Sequence, residues 1–381
     1  MTAPHWTLQC SACGSAAPLA RAGLCPACSQ PLFARYPNVP KSTTLDARWD
    51  MWRYRPLMPL AAGESPVTLG EGLTPLIEST SLAADVGVAR LWIKDEAQNP
   101  TASFKARGMS AAVTRARAEG YPGLVVPTAG NAGAALAAYG AAAGMPVKVF
   151  APRTTPRPIL DTIDAFGADL VRIDGHIGDA GKLALAHAAE TGFFAISTLR
   201  EPYRVEGMKT MGFEMAEQLG WRVPDVVVYP TGGGEGTVGI WKALEELAAG
   251  GWLASERVQP RYVVAQAAGC APIARAHAAG LDRAEPWVDP VTYAAGLRVP
   301  SPLGDRVLLR ILRETNGVSG TAGEEDIREW TRRLAEATGI DAAPEGGCAL
   351  VVLRDAVRAG RIAADSEVVV YNTGSGASYR A

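Results

Sequence analysis

The sequence predicts an α/β fold with mainly parallel sheets, and three observations support this class. Short β-branched runs alternate with longer Ala-rich runs of helical pattern along most of the chain, an order typical of parallel strands joined by helices. Three loops rich in small residues each follow a predicted strand, and ligands of parallel α/β proteins bind at the carboxyl ends of strands. The length of 381 residues is sufficient for more than one domain.

The composition excludes several classes of partner. Lys and Arg number 37 against 39 Asp and Glu, with no basic tail, so we expect no nucleic-acid partner. Residues Met1–Gln9 lack the basic and apolar regions of a signal peptide. The uncharged run Ala129–Val147 is mostly Ala and Gly, which favours a tightly packed soluble helix over a membrane span. We therefore expect no membrane partner and a cytoplasmic location, where thiols stay reduced.

The first segment, residues 1–35, is predicted to form a zinc ribbon. Two Cys-x-x-Cys pairs separated by eleven residues match four thiolates around one tetrahedral zinc ion, which would be structural because every ligand position is filled. The proposed ligands are Cys10, Cys13, Cys25 and Cys28. The alternatives to a zinc site are disulfide bonds, which the cytosol disfavours, and cysteines that bind no metal and form no bond. Cys270 and Cys348 are isolated in the sequence and are expected to be small core residues.

The rest of the chain divides into a linker and a catalytic body. Residues 36–66 are rich in Pro and Trp without periodicity, which indicates a linker that packs on the body. The predicted strands are Leu91–Lys94, Leu124–Pro127, Val147–Ala151, Leu170–Ile173, Phe194–Ser197, Asp225–Tyr229, Tyr262–Ala265 and Glu367–Tyr371. Helical patterns between them include Ser110–Glu119, Gly181–Glu190, Thr237–Ala248 and Glu324–Ala337.

One lysine has a setting that suits covalent catalysis. Lys105 lies between the Asn99-Pro100 turn and a helix predicted to start near Ser103 or Phe104, with Ser and Thr available to cap it. Apolar Phe104 beside it can desolvate the amine and lower its pKa, and a neutral amine is what a carbonyl cofactor requires. The spacing alone fits a surface lysine equally well.

The loop Pro230–Thr237 carries the strongest local signal for a phosphate. It follows a buried strand, contains four glycines and opens a helix, so its N–H groups can surround an anion. Gly234–Gly239 also matches the dinucleotide pattern Gly-x-Gly-x-x-Gly, but the next strand runs into Gln266 rather than an acidic residue, which weakens an NAD site. Glu235 is expected to point outward, away from a phosphate.

Several segments resemble, in family order, the fold-type II pyridoxal-phosphate (PLP) enzymes, which include the tryptophan synthase β-like proteins, and the threonine synthases in particular. The matching segments are Gly70–Leu76, Lys94–Met109, Glu201–Thr210 and Asn372–Gly376. The resemblance implies two mainly parallel α/β domains with the cofactor between them. The PLP catalytic region would span 67–381, with a smaller α/β subdomain at about 108–200.

The resemblance also implies roles for individual residues. Lys105 would bind PLP covalently and later accept the substrate's α-proton. Asn131 would hydrogen-bond the ring hydroxyl oxygen, and Thr373 the pyridine nitrogen. The PLP phosphate would be bound by Gly232, Gly233, Gly234, Gly236 and Thr237. The small amino-acid substrate would contact Thr128, Ala129 and Arg204.

The implied activity is elimination at Cβ of a small hydroxy- or phosphohydroxy-amino acid in amino-acid biosynthesis, by a protein expected to be a homodimer. The leading function is conversion of O-phosphohomoserine to threonine and phosphate. The chain departs from the threonine synthases at Ala132, where they have a hydroxyl residue, at Ser375 and Ser378, and in its Gly-rich phosphate loop. A threonine/serine ammonia-lyase is therefore the alternative. An NAD-binding oxidoreductase and a non-catalytic zinc-mediated interaction protein are more distant possibilities.

Overall fold

The computed structural model describes residues 4–19, 23–41 and 45–380. Its strands are β1 (Thr7–Cys10), β2 (Ala16–Ala17), β3 (Leu32–Arg35), β4 (Leu76–Glu78), β5 (Arg90–Asp95), β6 (Leu124–Pro127), β7 (Val147–Pro152), β8 (Asp169–Ile173), β9 (Phe194–Ala195), β10 (Val226–Pro230), β11 (Arg261–Ala267), β12 (Val318–Ala322) and β13 (Glu367–Asn372).

The α-helices are α1 (Thr80–Val86), α2 (Lys105–Ala118), α3 (Asn131–Ala143), α4 (Arg157–Ala165), α5 (Ile177–Thr191), α6 (Tyr203–Gln218), α7 (Glu235–Ala249), α8 (Pro272–Ala278), α9 (Asp305–Glu314), α10 (Glu324–Thr338) and α11 (Pro344–Arg358). Short 3₁₀ turns include Met51–Leu57, Ala295–Leu297 and Gly376–Tyr379. Within the described ranges, no helix is long and apolar enough to cross a membrane.

Two compact units divide the chain. The first unit comprises the described residues up to Leu73, together with Asn99–Thr210 and Arg380. It holds a parallel sheet of order β8-β7-β6-β9 and the antiparallel ribbon sheet β2-β1-β3. Trp6 and Leu8 of the ribbon share one apolar core with Met109 and Val113 of α2. The ribbon is therefore packed into this unit by the same burial of apolar surface that holds its helices.

The second unit comprises Thr74–Gln98 and Met211–Tyr379. Its sheet has the order β12-β11-β10-β13-β5-β4, parallel throughout except for the antiparallel edge strand β4. The central strands read as continuous apolar runs, as expected for strands covered on both faces. Because β10 and β13 are parallel neighbours, the loops that follow them leave the same edge of the sheet.

The α/β class with mainly parallel sheets is confirmed, and each predicted strand has a counterpart. The strand predicted at Phe194–Ser197 is shorter, since only Phe194–Ala195 pairs with β6. Two strands of the main sheet were not predicted. β4 is only three residues long, and β12 is Val-Ser-Gly-Thr-Ala, which lacks the apolar run that marks a buried strand. The domain limits inferred from the sequence stay predictions.

Candidate active site

Lys105 is the first residue of α2 and is half-buried. Its Nζ lies 4.1 Å from the centre of the Phe104 ring, so the predicted aromatic neighbour is in place. The predicted capping is wrong: Phe104 occupies the N-cap position and no side chain caps the helix. The Ser103 hydroxyl is buried and has no hydrogen-bond partner among the described residues.

The two residues before Ser103 have unusual backbone conformations. Thr101 has φ of 59° and Ala102 has φ of 52°, in the left-handed region that L-residues seldom adopt. The turn is closed by the Ala102 N–H, which donates to the Asn99 carbonyl at 2.9 Å. Such conformations persist only where surrounding contacts impose them, and they concentrate at functional sites.

Contacts around Asn99 and Glu71 hold this turn. The Asn99 Oδ1 accepts the Gly72 N–H at 3.0 Å, which joins the turn to the Gly70–Leu76 motif. The Glu71 side chain is fully buried and its Oε2 accepts the Tyr139 hydroxyl at 2.5 Å. Burial, with the Glu71 carboxylate second, raises the pKa of Tyr139 far above its ordinary value, so the hydroxyl keeps the proton it donates. No local pattern indicates this pair, because its members are 68 residues apart.

Two glycines set the position of α2 on α6. A Cβ added to Gly207 would lie 2.0 Å from the Arg107 carbonyl oxygen, and one added to Gly108 would lie 2.4 Å from Met208 Cε. The helices therefore meet at backbone contact just two residues beyond Lys105. Arg107 adds a hydrogen bond from its guanidinium to the Thr210 hydroxyl at 3.0 Å.

The loop after β6 gives α3 an unusual start. The Thr128 Oγ1 accepts the N–H groups of Gly130 at 3.1 Å and Gly133 at 3.0 Å, and donates to the Gly130 carbonyl. This hydroxyl therefore shapes the turn. Asn131 and Ala129 are half-buried, and no described residue hydrogen-bonds the Asn131 side chain.

Arg204 lies in the first turn of α6 and is 1% exposed. The Glu201 carboxylate caps this helix, accepting the backbone N–H of Tyr203 at 2.6 Å and that of Arg204 at 3.1 Å. The Glu201–Thr210 segment thus supplies both the start of α6 and its contact with the lysine helix.

In the second unit, the Gly-rich loop joins β10 to α7 as predicted. Gly234 is the N-cap with φ of 85°, and no side chain caps the helix. A Cβ added at Gly232 would lie 2.2 Å from the Gly296 carbonyl oxygen, and one added at Gly236 would lie 2.1 Å from the Tyr229 hydroxyl. The loop backbone is thus packed against its neighbours so tightly that only glycine fits, while the start of α7 keeps uncapped N–H groups for an anion.

The orientation predicted for Glu235 is wrong. Its side chain is 2% exposed, in the first turn of α7. A carboxylate there is favoured by the positive end of the helix dipole, which local sequence reasoning about a phosphate neighbour did not weigh. Thr237 is also buried, and its Oγ1 lies 3.3 Å from that of Thr231.

Thr373 follows β13 and is 6% exposed. No described residue hydrogen-bonds its hydroxyl, whereas the preceding Asn372 is fixed through its Nδ2, which donates to Asp95 Oδ1 at 2.8 Å. A hydroxyl that bonds no described residue is available to bind a ligand nitrogen.

The residues present fit PLP. In the first unit, the Lys105 amine comes two residues after the Ser103 hydroxyl, which no described residue hydrogen-bonds. The second unit, taken by itself, has an uncapped helix start at α7 and the Thr373 hydroxyl. These groups are an amine, donors for a phosphate and a hydroxyl for a ring nitrogen, which are the groups a phosphorylated pyridine aldehyde requires.

The four predicted zinc ligands cluster in the ribbon, their Sγ atoms all lying within 4.8 Å of one another. The Sγ atoms of Cys10 and Cys28 are 3.4 Å apart, and those of Cys13 and Cys25 are 3.7 Å apart. Tetrahedral zinc with bonds of about 2.3 Å separates its thiolates by about 3.8 Å. The N–H groups of Ala12 and Cys13 point to the Cys10 Sγ, both at 3.4 Å, as in a metal knuckle. Cys270 and Cys348 are fully buried, as predicted.

Comparison with known proteins identifies the family. Residues 67–374 match the family model described as "Pyridoxal-phosphate dependent enzyme". The chain therefore belongs to the fold-type II PLP-dependent enzymes, and it is a lyase of the threonine synthase-like kind. This membership decides against an NAD-binding oxidoreductase.

Individual relatives agree with this assignment. A threonine synthase of Methanosarcina acetivorans is 34% identical over 326 residues, covering 85% of this chain and 79% of that protein. Maize serine racemase superposes with a TM-score of 0.68 at 22% identity, covering 80% of this chain and 89% of that one. A threonine deaminase from Solanum lycopersicum superposes with a TM-score of 0.67 at 21% identity, covering 79% of each chain. The two solved structures show a shared fold.

Proposed function

We propose that the protein forms threonine and phosphate from O-phosphohomoserine. The observation that carries this proposal is the 34% identity over 85% of the chain to a threonine synthase. The four motif segments occur in the order of the family that they resemble, which supports the same reaction.

Lys105 is the proposed cofactor-binding and catalytic residue. PLP, when bound, withdraws electrons from the bonds at the substrate's Cα. The Lys105 amine would bind the cofactor and accept the Cα proton. The α3 start at Ala129 and the buried Arg204 are proposed to bind the substrate's anionic groups.

Reduction with borohydride and peptide mapping tests the lysine assignment. We expect one pyridoxyl group, on Lys105. Labelling at another lysine, or at none, would contradict the assignment.

The remaining cofactor contacts are proposed for three parts of PLP. Gly232, Gly233, Gly234, Gly236 and Thr237 would bind the phosphate. Asn131 would bind the ring hydroxyl oxygen. Thr373 would donate to or accept from the pyridine nitrogen without forcing its protonation, which moderates electron withdrawal and favours elimination at Cβ. Gly233→Asp should weaken PLP binding sharply, because a carboxylate would face the phosphate. Unchanged PLP affinity would place the phosphate elsewhere.

An ammonia-lyase acting on unphosphorylated threonine or serine is the second candidate. Ala132, where threonine synthases usually have a hydroxyl residue, packs on the apolar core of the first unit, and its side chain offers no donor to a substrate phosphate. Each lost donor to a charged group costs about 1.5–3 kcal/mol, roughly ten- to a hundredfold in affinity.

One preparation decides between the two reactions. Phosphate and threonine are measured from O-phosphohomoserine, and 2-oxo acid is measured from threonine and serine. Efficient threonine formation supports the synthase. Oxo-acid formation without phosphate release supports the ammonia-lyase.

We further propose a structural zinc ion on Cys10, Cys13, Cys25 and Cys28. The sulfur spacing supports it, and the continuous core of ribbon and α2 means that losing the metal should lower stability more than it changes the chemistry. Metal analysis should give one zinc per chain, removed in Cys13→Ser. If protein prepared under reducing conditions proved to contain no zinc, the proposed site would be refuted. A homodimer, measurable by sedimentation, and a cytoplasmic location stay predictions.

A further inference from the structure

The second unit contains a buried carboxylate that belongs to none of the motif segments. Glu345 lies in the first turn of α11 and is 5% exposed. Its Oε1 accepts the Gly296 N–H at 2.8 Å and the Tyr379 hydroxyl at 2.5 Å. Burying a carboxylate is costly unless donors compensate, so the two bonds define a fixed position for this group.

Gly296 connects this carboxylate to the phosphate loop. Its carbonyl oxygen lies 2.2 Å from the position of a Cβ on Gly232, and the Val299 side chain lies 2.9 Å from it. Gly296 also packs closely on the carboxylate, since a Cβ added to Gly296 would lie 2.7 Å from Glu345 Oε1. A shift of the Gly296 turn would therefore displace the backbone of Gly232, with no side chain available to absorb the movement.

Tyr379 connects the same carboxylate to the loop after β13. It ends the 3₁₀ turn Gly376–Tyr379, which begins at the last residue of the Asn372–Gly376 motif. Burial raises the pKa of Tyr379 well above its ordinary value, so its hydroxyl stays protonated and donates to Glu345. The Ala343 N–H, two residues before Glu345, donates to the Gly374 carbonyl at 2.9 Å, which fixes the motif from the same side.

We infer that Glu345 is a positioning residue for the PLP phosphate: through Gly296 and Tyr379 it fixes the Gly232 loop relative to the Asn372–Gly376 loop. Gly232, Gly296, Glu345 and Tyr379 form what we call the Glu345 junction. The inference rests on the proposed role of the Gly232–Thr237 loop in phosphate binding. Because both loops leave the same edge of one sheet, their spacing decides how well N–H groups meet a phosphate attached to a ring held near Thr373.

The test compares dissociation constants of PLP and of pyridoxal, which lacks the phosphate, on the full-length apoprotein. Glu345→Ala should weaken PLP binding about 10- to 100-fold, the effect of losing hydrogen bonds to a charged group, and leave pyridoxal binding nearly unchanged. Glu345→Gln should stay within about threefold of wild type, because its amide oxygen can accept the same two donors. Tyr379→Phe should weaken PLP binding when it is the only substitution. In a protein that already carries Glu345→Ala, it should cause little further loss of PLP affinity.

Glu367→Ala is the matched control. It also removes a hydrogen-bonded carboxylate of the second unit, at the opposite end of β13, so it should lower stability without altering the ratio of PLP to pyridoxal affinity. If the wild type prefers PLP and Glu345→Ala has the same ratio of PLP to pyridoxal affinity as the wild type, the inference is overturned. If Glu345→Ala does not fold, an unchanged ratio in Tyr379→Phe overturns it. A wild type with no preference for PLP would instead refute the proposed phosphate loop.

Discussion

The glycine contact between α2 and α6 gives a quantitative prediction. Gly207→Ala places a Cβ 2.0 Å from the Arg107 carbonyl oxygen, where ordinary C···O contacts begin at about 3.3 Å. The two helices must therefore separate by about 1.3 Å at this point, or the backbone must distort. Overpacking of this kind costs about 1–3 kcal/mol and sometimes more.

The same movement should affect the lysine. Lys105 lies two residues from the contact, and a misplacement of about 1 Å in a catalytic group can cost about 100-fold in rate. We expect urea unfolding to show a loss of about 1–3 kcal/mol, and borohydride labelling of Lys105 with PLP to slow markedly in the folded protein.

Gly181→Ala provides the control. Gly181 is inside α5, and a Cβ there meets nothing within 4 Å. This substitution should stabilise the protein by about 0.5–1 kcal/mol through the better helix propensity of Ala, and leave labelling unchanged. If Gly207→Ala proved as stable and as readily labelled as Gly181→Ala, the argument that this crossing positions Lys105 would be refuted.

Three further outcomes can be measured by urea unfolding. Ala102→Gly should stabilise the protein by about 0.5–1 kcal/mol, because glycine adopts the left-handed φ of 52° without strain; a loss of stability would contradict this. Tyr139→Phe should cost about 1–3 kcal/mol, since it removes a donor from buried Glu71, and a neutral result would show that the bond is dispensable. The Arg222 hydrogen bond lowers the pKa of Glu367 below its ordinary 4.5, so this carboxylate stabilises the fold above pH 4.5 and loses that effect as pH falls through the lowered value. Glu367→Gln should therefore cost about 1 kcal/mol at neutral pH and nothing in acid, and a difference that persisted in acid would contradict this origin.

Much of the architecture follows from local patterns in the sequence. The apolar runs of β10 and β13 predict central strands, because strands buried on both faces must be apolar throughout. The spacing of Cys10, Cys13, Cys25 and Cys28 predicts a single cluster, because each pair needs only a tight turn to converge. β12 escaped prediction because its three middle residues, Ser-Gly-Thr, are only partly buried or exposed and give no apolar pattern.

The tertiary structure alone decided how the site is supported. Ser103 looked like a helix cap, but its hydroxyl has no hydrogen-bond partner in the described part of the chain, because the backbone before it adopts a conformation that sequence propensity disfavours. Glu235 looked exposed and is buried at a helix start. Glu345 meets Gly296 across 49 residues of sequence. Periodicity and spacing report the contacts of a residue with its near neighbours in the chain, whereas burial and hydrogen-bond partners at such distances exist only once the chain has folded.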